Sequence, residues 1–165
     1  MNFLRRHPFS GQAGFTLIEL LITLAILALL ATMAVPVSRT IIQRSQEQEL
    51  RHSLREIRNA IDLYKKAVDE GRIQRAAIDS GYPKELAVLA DGVIDQTDPK
   101  KKKLYFLRRL PRDPMNPDPS LSAEETWGKR SLDSEPDDPQ EGVDIFDVYS
   151  RSTTVGLNGA PYNKW

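Results

Sequence analysis

Residues 14–19 read Gly-Phe-Thr-Leu-Ile-Glu, and they open an apolar stretch that runs from Phe15 to Val37. Glu19 is the only charged residue in this stretch. As a helix rising about 1.5 Å per residue it would be about 34 Å long, which is enough to cross the apolar core of a bilayer. A carboxylate in such a segment costs a few kcal/mol unless it is paired. We therefore expect Glu19 to have a functional role.

The residues before this stretch favour a membrane anchor. Arg5 and Arg6 precede it, and the first fourteen residues contain no acid. Positive charge favours the cytoplasmic side of a membrane, so the rest of the chain is predicted to face the periplasm or the exterior. A secretory signal peptide has a shorter apolar core of about 7–15 residues, followed by a small-residue cleavage site. The sequence therefore predicts a single transmembrane helix over residues 15–37.

The basic leader, the glycine, the acid and the apolar helix together resemble the type III signal of type IV pilins and pseudopilins. The resemblance implies that a prepilin peptidase removes residues 1–14 by cutting between Gly14 and Phe15, and that Phe15 is then N-methylated. Glu19 becomes the fifth residue of the mature chain. In the helical filament it is implied to pair with the methylated amine of Phe15 in a neighbouring subunit. An uncleaved anchor with a stray acid is the alternative interpretation.

A second helical signal covers residues 38–71. The apolar side chains recur at spacings of 4, 3, 4, 3 and 4, which predicts one apolar stripe on an amphipathic helix; they are Leu50, Leu54, Ile57, Ile61, Tyr64 and Val68. Gly71 is the predicted stop. The spacing also predicts ion pairs between Glu47 and Arg51 and between Asp62 and Lys66.

Pro36 lies between the two helical segments. Proline removes a backbone hydrogen bond and clashes with the preceding turn, so we expect a kink there. The family resemblance adds a second interpretation, in which the proline allows the helix to extend when the subunit enters a filament.

Residues 72–165 are predicted to form a globular periplasmic region. Tyr82–Leu89 suggests a turn into a short helix with Pro83 in its first turn, and residues 95–103 form a polar loop. Strands are predicted at 126–132 and 143–150, joined by an acidic loop over 133–142, and Trp165 is expected to pack back onto the sheet. The predicted fold class is α+β, a type IV pilin-like fold in which a long amino-terminal helix packs on a small antiparallel sheet.

Short segments in this half are similar to the major pseudopilins of type II secretion, including Arg109–Pro114 and Asn163–Trp165. The resemblance implies a structural subunit that polymerises into a pseudopilus with minor pseudopilins and an inner-membrane assembly platform. The alternatives are a type IV pilin or minor pilin, including the DNA-uptake type, and a membrane-anchored binding module that never polymerises. Pilins more often carry a carboxy-terminal disulfide, and this chain has no cysteine.

The residues indicate no enzyme and no cofactor. Cysteine chemistry is excluded, and His7 and His52 are the only histidines. Many major pseudopilins bind calcium in an Asp-rich loop after the last long strand, but Arg151–Pro161 contains no acid. Calcium prefers oxygen ligands, which four acids elsewhere could supply: Asp137, Asp138, Glu141 and Asp144. A solvated acidic loop is the favoured interpretation.

One basic cluster stands out. It contains four lysines and two arginines around two aromatic residues, at Lys100–Lys103, Tyr105, Phe106, Arg108 and Arg109. Clustered positive charge can contact nucleic-acid phosphates. The same cluster also fits a solvated loop, or a contact between subunits that uses the acidic 133–144 region. We expect no nucleic acid as a partner, because a charge run alone is usually a solvated surface.

Overall fold

The computed structural model describes residues 14–76 and 78–165, without the side chains of residues 33–39. The chain divides into two compact units, Met1–Ile41 and Ile42–Trp165. Its helices are α1 (Leu17–Asp69) and α2 (Ala87–Asp91), and its strands are β1 (Val93–Ile94), β2 (Lys103–Leu104), β3 (Trp127–Arg130) and β4 (Asp147–Ser150), with 3-10 turns at Glu124–Thr126 and Tyr162–Lys164. The predicted α+β class, with a long amino-terminal helix and small antiparallel sheets, is confirmed.

Two predictions for the amino-terminal part of α1 stay predictions, namely the kink at Pro36 and the transmembrane helix. Pro36 falls among the residues whose side chains are not described, so its kink stays a prediction. Among the described residues, no helix offers an apolar stretch long enough to cross a membrane. The leader over residues 1–13 lies outside the described residues.

The carboxyl end of α1 is set by Gly71, as predicted. Gly71 has a φ of 72°, a left-handed conformation that costs glycine little. Its N–H donates to the carbonyl of Val68, and the N–H of Arg72 donates to that of Ala67, both at 2.9 Å. This pair of bonds satisfies carbonyls that the end of a helix otherwise leaves without partners.

The predicted apolar stripe forms one wall of the core of the second unit. Its members Leu50, Ile57 and Ile61 are fully buried. They pack in one cluster with residues from α2 and the position before it, from β3 and β4, and from the segment before β4, namely Leu86, Leu89, Trp127, Ile145 and Val148. Each such side chain contributes about 1.5–3 kcal/mol by leaving water. The carboxyl half of α1 is therefore held by the core of its own domain.

Both predicted ion pairs along α1 are wrong. Glu47 is buried and binds the carboxy-terminal segment, while the guanidinium of Arg51 lies 4.3 Å from the ring centre of Trp165. Lys66 pairs with Glu70 at 3.9 Å. Pairs at this spacing are worth only about 0.2–0.5 kcal/mol, so tertiary contacts override them.

Strands β3 and β4 pair antiparallel, from Trp127 opposite Ser150 to Arg130 opposite Asp147. The two strands predicted after residue 125 are therefore confirmed, but both are shorter than expected. The N–H of Ile145 donates to the carbonyl of Pro83 at 2.8 Å, so this part of the backbone bonds outside the ladder.

A hairpin that the sequence did not reveal flanks the predicted polar loop, most of which lies between its two strands. Strands β1 and β2 pair antiparallel, with Val93 opposite Leu104. Each strand has only two residues, too short for a recognisable alternation of apolar and polar side chains. Val93 and Leu104 pack against a second small cluster formed by Ala67, Val68 and Ile73.

Helix α2 begins at Ala87, four residues later than Pro83 suggested. The carboxylate of Glu124 accepts hydrogen bonds from the N–H groups of Leu86 and Ala87, at 3.2 and 3.0 Å. These N–H groups lie at the start of the helix, where they have no partner within it. A side chain from a distant segment thus decides where α2 starts.

Candidate processing motif and subunit contacts

The amino terminus of α1 is capped within the motif at residues 14–19. The hydroxyl of Thr16 accepts a hydrogen bond from the N–H of Glu19 at 3.2 Å, and the helix begins at Leu17. Thr16 and Glu19 have the spacing of a capping box, a signal that is present in the sequence itself. Glu19 lies in the first turn, where a negative charge is favourable to the helix dipole.

Gly14 and Phe15 lie outside the helix and are open to solvent. Phe15 is 83% exposed, and a Cβ added to Gly14 would meet no atom within 4 Å. Packing therefore does not explain a glycine at this position.

The first turns of α1 present apolar side chains in all directions. The large ones are more than half exposed, at Leu17, Ile18, Leu20, Leu21, Ile22, Leu24, Ile26, Leu27, Leu29 and Leu30. A polar carboxylate at Glu19 lies among them. Such a surface is suited to an apolar environment that also supplies a partner for one negative charge.

The carboxy-terminal loop, residues 151–161, is held by a carboxylate from α1. Glu47 is 7% exposed, and its Oε1 accepts three hydrogen bonds. The donors are the N–H of Leu157 at 2.7 Å, the hydroxyl of Tyr162 at 3.0 Å and the Nε2 of Gln43 at 3.3 Å. Burial is the main reason that the pKa of Tyr162 is raised. This contact could not be predicted from local sequence patterns, because Glu47 and Tyr162 lie 115 residues apart.

Two further carboxylates secure long segments of the domain. Buried Asp113 accepts bonds from the hydroxyl of Ser150 at 2.6 Å and the N–H of Met115 at 2.8 Å, and burial raises its pKa. Hydrogen bonds from Arg72, and then from Thr97, lower the pKa of Asp95 to about 2. Asp95 thereby ties the β1–β2 hairpin to the residues that follow α1.

Three of the four acids considered as calcium ligands bind other groups of the protein. Asp144 accepts from the hydroxyl of Ser131 at 2.6 Å, and Glu141 pairs with Arg151 at 2.9 Å. Asp138 accepts from the side-chain amide of Gln140. Within residues 14–76 and 78–165, no three carboxylate or histidine side chains are grouped to hold a metal ion. The expectation that there is no cofactor stays a prediction.

His52 lies on the outer surface of α1, as its sequence position suggested. Its side chain is 74% exposed, and its nearest charged partner is Glu56 at 3.9 Å. This arrangement lacks the buried, hydrogen-bonded base that activates a nucleophile.

Comparison with known proteins confirms the resemblance seen in the sequence. Residues 9–35 match the family described as the prokaryotic N-terminal methylation motif. The chain is 30% identical over 138 residues to the type II secretion system core protein G of Aeromonas hydrophila, covering 81% of this chain and 88% of the relative. It is 27% identical over 156 residues to the protein of the same name from Dickeya chrysanthemi, covering 90% and 95%. No solved structure matches the chain significantly.

Proposed function

The chain belongs to the family of type II secretion system core protein G, and we propose that it is the major subunit of a secretion pseudopilus. The observation that carries the proposal is the exposed apolar surface of α1 with a carboxylate in its first turn, on a chain whose second unit has its own core. The exposed apolar surface of α1 needs partners to leave water, whereas the second unit buries an apolar core of its own. A subunit that polymerises through its amino-terminal helix has both properties.

Processing by a prepilin peptidase is the first step of the proposed mechanism. The cut falls between Gly14 and Phe15, and Phe15 becomes the N-methylated first residue. The open space around Gly14 supports this step, because packing among the described residues does not require a glycine there. The cap at Thr16 supports it too, since the residue that caps α1 belongs to the processed chain.

Assembly is the second step. The apolar half of α1 anchors the processed subunit in the inner membrane, with the second unit in the periplasm, until an assembly platform moves it into the filament. There the apolar helices pack together, and Glu19 pairs with the methylated amine of Phe15 from a neighbouring subunit. An unpaired buried charge is strongly unfavourable, so the pair sets the axial register as well as adding stability. Minor pseudopilins are the other expected partners.

We assign the subunit neither catalysis nor a metal. The contacts of Glu47 support this, because they hold the carboxy-terminal loop with hydrogen bonds from the protein itself.

The test is a Glu19→Ala variant compared with Thr23→Ala, which changes a polar side chain one turn further along α1. Mass spectrometry should show N-methyl-Phe15 at the start of both variants and of the unmodified chain. We expect Glu19→Ala to reach the membrane and to form no filaments, while Thr23→Ala assembles normally. Normal filaments from Glu19→Ala would refute the intersubunit pair. An unprocessed Met1 in the presence of the peptidase would refute the assignment, and loss of processing in Glu19→Ala alone would place the role of Glu19 at the peptidase.

A further inference from the structure

Two oppositely charged surfaces of the second unit are left without partners in a single chain. We define the basic patch as Lys100, Lys102, Arg108 and Arg109, and the acidic loop as Asp133, Glu135, Asp137 and Asp138. All eight residues are exposed. From these surfaces we propose that the basic patch of one subunit docks on the acidic loop of a second copy of the chain. The inference rests on the proposed filament and adds a contact outside the apolar helix.

The charges of the basic patch are not neutralised locally. The nearby acids are already engaged, since Asp95 binds Arg72 at 2.6 Å and Asp98 accepts from the backbone N–H of Lys100 at 2.7 Å. Among the residues that the structure describes, none of the four basic side chains forms an ion pair.

The acidic loop has the opposite imbalance. Residues 132–144 contain no lysine or arginine. The Nζ of Lys164 reaches this loop, but it donates to the backbone carbonyl of Asp137 at 3.0 Å and leaves the carboxylate unpaired. In the described part of the chain, no ion pair joins the loop to the basic patch.

Exposed apolar side chains flank both surfaces. Ile94 and Tyr105, beside the basic patch, are 46% and 64% exposed. Leu132 and Val143, beside the acidic loop, are 43% and 79% exposed. An interface that combines buried apolar area with complementary charge is typical of specific protein contacts. Nucleic acid would match only the basic half of this arrangement.

A second copy is the occupant because every subunit carries both surfaces. A contact between different surfaces of identical subunits does not close on itself, and it repeats along an open filament. Exposed ion pairs are worth little individually. The charges are therefore expected to select the register between neighbours, while the apolar helix supplies most of the stability.

The absence of native cysteine allows a direct test in the full chain, assembled with its secretion machinery. A Lys102→Cys/Glu135→Cys variant should give a ladder of disulfide-linked dimers, trimers and higher oligomers on oxidation, whereas each single variant stops at dimers. A Lys102→Cys/Ser120→Cys variant is the matched control, because Ser120 is exposed and belongs to neither surface. A ladder no longer than that of the control would overturn the docking contact.

Charge reversal provides the second measurement. Two double variants reverse the charge of one surface each, Lys100→Glu/Lys102→Glu and Glu135→Lys/Asp137→Lys. Each should lower the yield of sheared filaments several-fold. The variant that combines all four substitutions should recover most of that yield. If the combined variant recovers no filaments, the contact is refuted. If the filament yield is unchanged and only Lys100→Glu/Lys102→Glu loses binding to DNA, the basic patch is a nucleic-acid surface instead. If the unmodified chain forms filaments and the reversals have no effect, only the docking contact fails. If the unmodified chain forms none, the proposed function fails and this inference fails with it.

Discussion

Replacing Glu47 with alanine should destabilise the second unit through the carboxy-terminal loop. Three donors converge on one oxygen of its carboxylate, at 2.7–3.3 Å. A hydrogen bond to a charged group contributes about 1.5–3 kcal/mol. Leu157 is exposed and Gln43 is half-buried, so both can turn to water, whereas Tyr162 is buried and its hydroxyl would lose its acceptor. We therefore expect a loss of about 2–4 kcal/mol in the free energy of unfolding.

The measurement is urea and thermal unfolding of a fragment that begins at Ser38. A loss of this size should lower the melting temperature by about 8–15 °C in a domain of this length. Glu49→Ala is the control, because Glu49 lies two residues further along α1, is exposed and has no side-chain partner among the described residues. It should change the stability by less than about 0.5 kcal/mol.

A double-mutant cycle isolates the contact that carries most of the effect. Tyr162→Phe removes the hydroxyl and keeps the aromatic ring, which packs 5.0 Å from the ring centre of Trp165. We expect a coupling energy of about 1–2 kcal/mol between Glu47→Ala and Tyr162→Phe. If Glu47→Ala unfolds like Glu49→Ala, or if the two substitutions are additive, Glu47 does not hold the loop and the reasoning is refuted.

Three further predictions concern the same fragment. Beginning at Ser38, it should unfold in a single cooperative transition, because its core needs no residue of the apolar segment; a gradual, probe-dependent transition would contradict this. Its melting temperature should be equal in calcium and in EDTA, since no group of metal ligands occurs in the described residues; a rise with calcium would reveal a bound ion. Asp95 has its pKa lowered to about 2 from an ordinary 3.8 by Arg72 and Thr97, so its stabilisation is present above about pH 4 and is lost as the pH falls through about 2. Asp95→Asn should therefore flatten the dependence of the urea midpoint on pH over this range, and an unchanged slope would refute the role of the carboxylate.

Features that depend on neighbouring residues could be predicted from the sequence. Three such features are the motif at residues 14–19, the apolar stripe and the stop at Gly71. Each depends on residues that lie within a few helical turns of one another. Side-chain periodicity and capping act over this distance, so they can be recognised before the fold is known. The capping box formed by Thr16 and Glu19 is a local pattern of the same kind and can also be recognised from the sequence. The same local reasoning failed for the pair of Glu47 and Arg51, because an exposed pair is worth less than the tertiary contacts available to either residue.

The contacts that hold the second unit together were decided by the tertiary structure alone. Glu124 caps α2 from 37 and 38 residues away, Asp113 reaches β4 across 37 residues, and Glu47 binds a loop more than a hundred residues later. In the sequence each is an ordinary acid. Its role follows from burial, because a carboxylate removed from water must find donors, and which donors are near depends on how distant segments pack.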